Sequence, residues 1–206
     1  MIVKEYTELE QKALVMKRSL TSRPLDLLYF TFFLSHIPAS LLLDFQALYP
    51  SSLLPGFISS LPRLYFQMSN DPLIGGAMGY LSNSKELGWL KSFMILELVF
   101  QFPVFFLGLQ GLWNDSRSIY PLLLIYAAST TTTTLPCLSL IFATPLTSPS
   151  TIAKGIVSIT TAQRYLLLSS YIPFFLVPLL MTLDMAIRVA KLVRLGIKSE
   201  DEAKRK

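Results

Sequence analysis

Polar and apolar positions along this chain come in blocks rather than alternating. Four blocks, about 25–49, 89–109, 119–142 and 165–187, are almost wholly apolar. Each is long enough to cross a bilayer core, which takes roughly 20 residues in a helix. A backbone in lipid must satisfy its own hydrogen bonds, so these blocks are expected to be transmembrane helices. The expected fold is therefore all-α, an integral membrane four-helix bundle. It divides into an N-terminal extension at 1–24, a four-span domain at 25–187 and a basic C-terminal tail at 188–206. Every span carries proline: Pro38, Pro103, Pro136, and Pro173 with Pro178. A helical proline leaves the carbonyl four residues earlier unpaired and bends the rod. Proline-kinked spans that bulge around a cavity are the expectation.

The connections differ from one another. "YPSSLLPGFISSLPRLYFQMSNDPLIGGAMGYLSNSKELG" holds Pro50, Pro55, Pro62 and Pro72 but is too apolar for a solvated linker. It reads as short interfacial turns over the bundle, a candidate lid. "ATPLTSPSTIAKGIVSITTAQR" reads as an ordinary loop, and the chain from Lys191 as an exposed helical extension fraying at "SEDEAKRK".

Composition fits a membrane protein. Of 206 residues, 52% are hydrophobic and 15% charged, against about 25% charged in soluble domains, and mean hydropathy is +0.51. The net charge of +5 sits toward the ends of the chain, which points away from nucleic acid. Five basic residues precede the first span (Lys4, Lys12, Lys17, Arg18, Arg23) and seven lie at or beyond the end of the fourth (Arg188, Lys191, Arg194, Lys198, Lys204, Arg205, Lys206). An even number of spans puts both termini on one side, and the positive-inside rule makes that side cytosolic. Residues 1–24 are too charged for a cleaved signal, so the first span is expected to act as its own anchor. Cys137 and His36 are the sole cysteine and histidine. No disulfide framework, metal centre or cofactor is expected.

Two acids stand out. Glu97 and Gln101, in "KSFMILELVFQFPVFFLGL", are four apart and so share a helix face. Asp44, in "SLLLDFQALYP", would lie roughly 8 Å inside the end of a first helix that runs to Tyr49. The first two helices are antiparallel, so the carboxylates can reach similar depth. No basic residue lies near a span centre. One acid is then expected to hold its proton and hydrogen-bond to the other. Such a site suits an amphiphilic amine, a hydroxyl on an apolar ligand, or a developing carbocation. Against this stand an interfacial, solvated Asp44 and a polar clamp made by Glu97 and Gln101. Intramembrane acids are by default functional candidates. His36, in "FLSHIP", is either a proton shuttle or a neutral ring bonded to a backbone carbonyl. The hydroxyls of "STTTTTLPCL" can bond carbonyls freed by Pro136 or bond across helices. Tyr171 is a candidate cavity wall, and Asp71, in "SNDPLIGG", a turn or cap residue.

These segments carry a resemblance. "YFTFFLSHIPASLLLDFQALYP", "NDPL", "WLKSFMILELVFQFPVFF" and "SSYIPFFLVPLL" resemble the sigma-2 receptor family of transmembrane EXPERA-domain proteins, with the emopamil-binding sterol isomerase a more distant relative. The resemblance implies a four-span bundle of the endoplasmic reticulum membrane, a homodimer, with an intramembrane pocket for sterols and cationic amphiphiles. It assigns Asp44 and Glu97 to amine binding, and Gln101, Thr133 and Tyr171 to the pocket, and it gives Asp71 a loop-supporting role. Phe174 stands where vertebrate members carry a second tyrosine, implying a drier pocket. "EAKRK" offers only half of a dilysine retrieval signal. The reading is a non-enzymatic binding protein in sterol or lipid homeostasis, acting through a membrane-protein partner in sterol trafficking. The alternatives are a sterol double-bond isomerase using the paired carboxylates, against which Trp89 and Trp113 sit at span ends rather than in a pocket, and a membrane chaperone or targeting factor.

Overall fold

The computed structural model describes residues 18–50, 54–81 and 84–205. Most of the expected N-terminal extension, residues 1–17, lies outside them. Among the described residues there is no strand, only an isolated bridge between Leu146 and Ile159, and four helical segments are long and apolar enough to cross a membrane. The chain is an all-α, multi-pass membrane protein.

The first span is α1, Pro24–Leu42, started by a proline whose missing N–H costs nothing at a helix N-terminus. It stops earlier than a helix running to Tyr49. Leu43 leaves helical geometry (φ −123°, ψ −68°), and Asp44–Ala47 form a 3-10 turn. Three short helices follow in the long connection: a single turn at Gly56–Ser59, then α2 at Leu61–Ser69 and α3 at Pro72–Ala77. Between α2 and α3 Asn70 turns the chain in the left-handed region (φ 47°), which Asn tolerates, and its amide donates to the Ser158 carbonyl at 2.6 Å. The connection is thereby tied to the other loop at this end.

The second span is two helices, α4 at Gly88–Leu96 and α5 at Phe102–Trp113, joined by a π-helical turn over Glu97–Gln101. Phe102 N–H donates to the Glu97 carbonyl, five residues back. The wide turn comes just before Pro103, which has no N–H to continue the ordinary ladder. α1 and α5 approach closely at Gly108, where a Cβ would come within 2.7 Å of the Phe33 ring. The third span is α6, Tyr120–Ala143, and α7, Thr161–Lys204, packs along it. α7 is capped by the reciprocal Thr160 and Gln163 side chains. It runs unbroken through Pro173 and Pro178 and does not fray before Lys204, contrary to the expectation at "SEDEAKRK". Its 44 residues span roughly 66 Å, about twice a bilayer core.

The buried side chains form two clusters. Near the terminal end Tyr29, Phe33, Phe105, Leu123, Tyr126, Met181 and Met185 interlock. Near the loop end Leu73, Leu90, Met94, Cys137, Ile141 and Leu167 do so. Polar groups close the terminal end. Arg23 pairs with Asp26 and donates to the Leu112 carbonyl at 2.7 Å. Arg188 reaches Asp26 at 2.6 Å and Asp184 at 2.7 Å, and Tyr29 donates to Asp184 at 3.2 Å. All four spans thus meet in one network, since Arg188 also lies over the Tyr120 ring at 5.2 Å.

Candidate functional site

Between the two clusters the spans enclose a cavity of about 320 Å³. α1 and its terminal turn contribute His36 and Asp44. The π turn contributes Glu97 and Gln101, α6 Thr130, Thr133, Thr134 and Cys137, and α7 Tyr171 and Phe174. Tyr65 of α2 and Leu73 and Ile74 of α3 close it from the loop side. All six ligand-contacting candidates, Asp44, Glu97, Gln101, Thr133, Tyr171 and His36, therefore lie on one wall or another of a single cavity. No lysine or arginine lines it.

Asp44 and Glu97, the expected proton-sharing pair, both line the cavity. Ser40, one turn before Asp44, donates to Glu97 Oε1 at 2.5 Å. No donor among the described residues reaches the Asp44 carboxylate. Glu97 Oε1 is also 3.7 Å from His36 Nε2, beyond hydrogen-bond range. The His36 ring lies against Phe105 (4.7 Å, 27°) and Phe174 (4.5 Å). Its Nδ1 has no partner, so the expected bond to a backbone carbonyl is not made. Phe174, in the position read as drying the pocket, supplies both cavity wall and histidine packing.

Gln101 donates to Ser129 Oγ at 3.2 Å, tying the second span to the third. The threonine run bonds back along its own helix. Thr131, Thr132 and Thr134 donate to carbonyls four residues earlier, and Thr133 to Ser129 and Thr130. None reaches the Thr132 carbonyl that Pro136 leaves free. Thr130 differs: it is buried, lines the cavity and has no partner for its hydroxyl.

Asp71 does not line the cavity; it anchors the residues that do. Oδ1 caps α3 by accepting from Leu73 N (2.8 Å) and Ile74 N (3.3 Å). Oδ2 accepts from Tyr65 OH (3.0 Å) and Tyr171 OH (2.9 Å). Burial pushes this carboxyl above its usual range, against the pull of those four bonds. The two tyrosines it holds are cavity walls from different elements, so Asp71 fixes the loop helices to α7.

Ser40, Thr130, Thr134 and Tyr65 were not singled out from the sequence. Ser40 was within reach, because it lies four residues before Asp44 on α1. Thr130 and Thr134 share the face of Thr133 and Cys137 at helical spacing, but nothing local says which face of a five-threonine run turns inward.

The cavity lining combines carboxylate oxygens, aromatic rings and neutral hydroxyls, the chemistry that can take an organic cation or a hydroxyl. Among the described residues there is no cluster suited to a metal ion.

Comparison with known proteins agrees with this architecture. The family model EXPERA (EXPanded EBP superfamily) matches residues 57–185. Sigma intracellular receptor 2 of Homo sapiens is 32% identical over 166 residues, covering 80% of this chain and 89% of that protein. The Xenopus tropicalis protein of the same name is 30% identical over 165 residues, with the same coverage of 80% and 89%. Efficient mitochondria targeting-associated protein 19 of Saccharomyces cerevisiae is 29% identical over 158 residues, covering 73% of this chain and 91% of that protein. With the family model matching more than half the chain, and identities of 30–32% over 80% of it, the chain belongs to the sigma-2 receptor family of EXPERA proteins.

Proposed function

We propose that this protein binds sterols and cationic amphiphiles in the cavity between its spans, and acts in sterol and lipid homeostasis from the endoplasmic reticulum membrane. One observation carries the reading: two carboxylates face a largely apolar cavity that no lysine or arginine lines. An ammonium group 4 Å from a carboxylate gains about 4 kcal/mol at an effective dielectric of about 20. A neutral hydroxyl, such as that of a sterol, gains less and relies on the apolar walls. Asp44, with no protein donor, is the anchor for the ammonium; Glu97, already bonded by Ser40, is its polar neighbour. The organelle, cytosolic termini, homodimer and membrane-protein partner of this proposal rest on the family likeness and the distribution of basic residues.

The test is saturation binding of a labelled aromatic tertiary amine to the purified protein, with cholesterol as competitor. Saturable binding that cholesterol displaces is expected. Equal binding by wild type and Asp44→Asn would overturn the site.

A second reading, sterol double-bond isomerase, is favoured by the neighbouring Glu97 and His36. One acid would protonate the alkene while a base removes a proton from a nearby carbon, moving the double bond without changing the composition. Incubation with a Δ8-sterol, followed by chromatography and mass spectrometry, separates the readings. Product that disappears in Asp44→Asn establishes the isomerase; none from a sample that still binds the amine leaves a binding protein.

A further inference from the structure

The helix α2 presents three sides rather than two. At roughly 100° per residue, Pro62, Tyr65, Phe66 and Ser69 share the side turned to the protein. Pro62 and Ser69 are buried, and Tyr65 lines the cavity. Phe66 lies so close to α3 that a Cβ at Gly75 would meet its ring at 2.3 Å. Arg63 and Gln67 share a second, exposed side, with the Arg63 guanidinium over the Tyr80 ring at 5.7 Å. The third side is apolar and open. Leu64 and Met68, four apart, keep 55% and 60% of their surface. Leu64 N–H donates to the Ser60 carbonyl and Ser60 N–H to that of Gly56, so the coil continues back through the preceding turn. Phe57, 73% exposed, thereby falls on the same side as Leu64, seven residues on.

The exposed half of this helix is thus split lengthwise into a polar strip and an apolar one. That is the pattern of a helix set in the boundary between lipid headgroups and acyl chains. The depth agrees. Gln163, in the first turn of α7, donates its amide to the Met68 carbonyl at 3.3 Å. Counting back about 20 residues from Arg188, the thickness of a bilayer core, puts the other edge of the core near residue 168. Gln163 lies about five positions beyond that edge, roughly 7 Å. The headgroup layer on each side is about 5–7 Å thick, so Met68 stands within it. Tyr165 and Leu166, the next exposed residues along α7, continue the same surface as an interfacial aromatic followed by a lipid-facing side chain.

We propose that Phe57, Leu64 and Met68 are seated in the leaflet at the loop end of the bundle, among the upper acyl chains, with Arg63 and Gln67 turned to the headgroups and water. The protein then has a lipid contact outside its spans, on the element that carries Tyr65. The leaflet sets α2 from one side, while Asp71 holds it from the other through the Tyr65 hydroxyl. This contact holds whatever the cavity binds.

Full-length protein in phosphatidylcholine vesicles, with an environment-sensitive dye on Leu64→Cys, Gln67→Cys or Met68→Cys, tests this. The unsubstituted protein supplies the blank for the buried Cys137. Quenching is read with lipid brominated high on its acyl chains and, separately, with aqueous iodide. The dyes of Leu64→Cys and Met68→Cys should be quenched by the brominated lipid about threefold more than that of Gln67→Cys. Iodide should give the reverse order. Iodide quenching alike in all three variants would put the apolar strip in water. Protection of Leu64→Cys and Met68→Cys from both quenchers would make the strip a contact between protein surfaces, and disulfide-linked dimers of Met68→Cys would identify a second copy as the partner. Each of these results overturns the proposal.

Discussion

At the terminal end of the bundle Asp26, Asp184 and Asp115 face Arg23, Arg188 and Arg18; toward the loop end Asp44 and Glu97 face one another's cavity with no cation near. The same four spans hold both sets. In the first, three acids meet three guanidinium groups, and the fork of Arg188 is shared between Asp26 and Asp184. Burying charge is tolerable there because each charge has a partner and further hydrogen bonds. In the second, no lysine or arginine stands beside the acids, and Glu97 has only the Ser40 hydroxyl as a donor. Asp71 lies between these cases, a buried carboxylate satisfied by four neutral donors. The contrast separates acids that hold the bundle together through guanidinium groups from acids that face a cavity without one.

The sharpest way to break this contrast is at Asp26. Asp26→Ala leaves Arg23 and Arg188 without their shared acceptor, and losing one member of a buried ion pair costs about 3–5 kcal/mol. A large fall in Tm in detergent is expected; an unchanged Tm would put the terminal network on a par with the cavity acids. Asp44→Asn should do the reverse. Amine affinity should fall about 100-fold, equivalent to about 2.7 kcal/mol, while Tm stays the same or rises, because no protein partner is lost. A drop in Tm as large as that of Asp26→Ala would make Asp44 a structural acid. Asp71→Asn keeps the α3 cap but puts an amide donor where Oδ2 accepted two phenols, a loss of about 1–3 kcal/mol. It should lower Tm and amine affinity together, since Tyr65 and Tyr171 are both support and wall. Glu97→Gln keeps an acceptor for Ser40, so affinity should fall only about tenfold; a loss equal to that of Asp44→Asn would mean the two acids act as one.

The smallest effect is that of pH at Asp115. Hydrogen bonds from Arg18 hold its carboxyl below the usual range. Its folded pKa is thus lower than its unfolded value of about 3.9, so its contribution is present above that value and lost as the pH falls through the folded one. Wild type should lose slightly more Tm than Asp115→Asn on acidification below about pH 4. Identical curves would show that the Arg18 contact adds nothing.

The spans were legible because apolar runs of bilayer length have few other uses, and the unusual acids because charge inside such runs is rare. Asp44 and Glu97 stand out by that test alone, and Gln101 by sharing the helix face of Glu97. The helix stop at Leu43 was not legible: "SLLLDFQ" has no glycine or proline to mark it, and the change to a 3-10 turn is a matter of tertiary packing. Nor was the terminal network. Asp26 and Arg188 lie 162 positions apart, and each looks on its own like an ordinary span-end charge. Reading Arg23 and Arg188 only as orientation signals missed that both are load carriers between helices. The hydrogen bond from Ser40 to Glu97 was hidden for a similar reason, because a serine in a membrane helix so often bonds its own backbone.

The wide turn at Glu97–Gln101 gives the second span a spare residue. An ordinary α-helix transmits rotation along its axis; a helix interrupted by a π turn has slack that a one-residue shift can take up. Taking out a single lipid-facing position such as Val99, which is 70% exposed, would close the ladder to its usual spacing. α4 would then turn roughly 100° against α5, carrying Leu90 and Met94 off the cavity while Phe105 and Gly108 stayed in place. The pocket's shape therefore depends on a count of residues as much as on their identity, and a length change here is a gentler tool than a charge change for reshaping it.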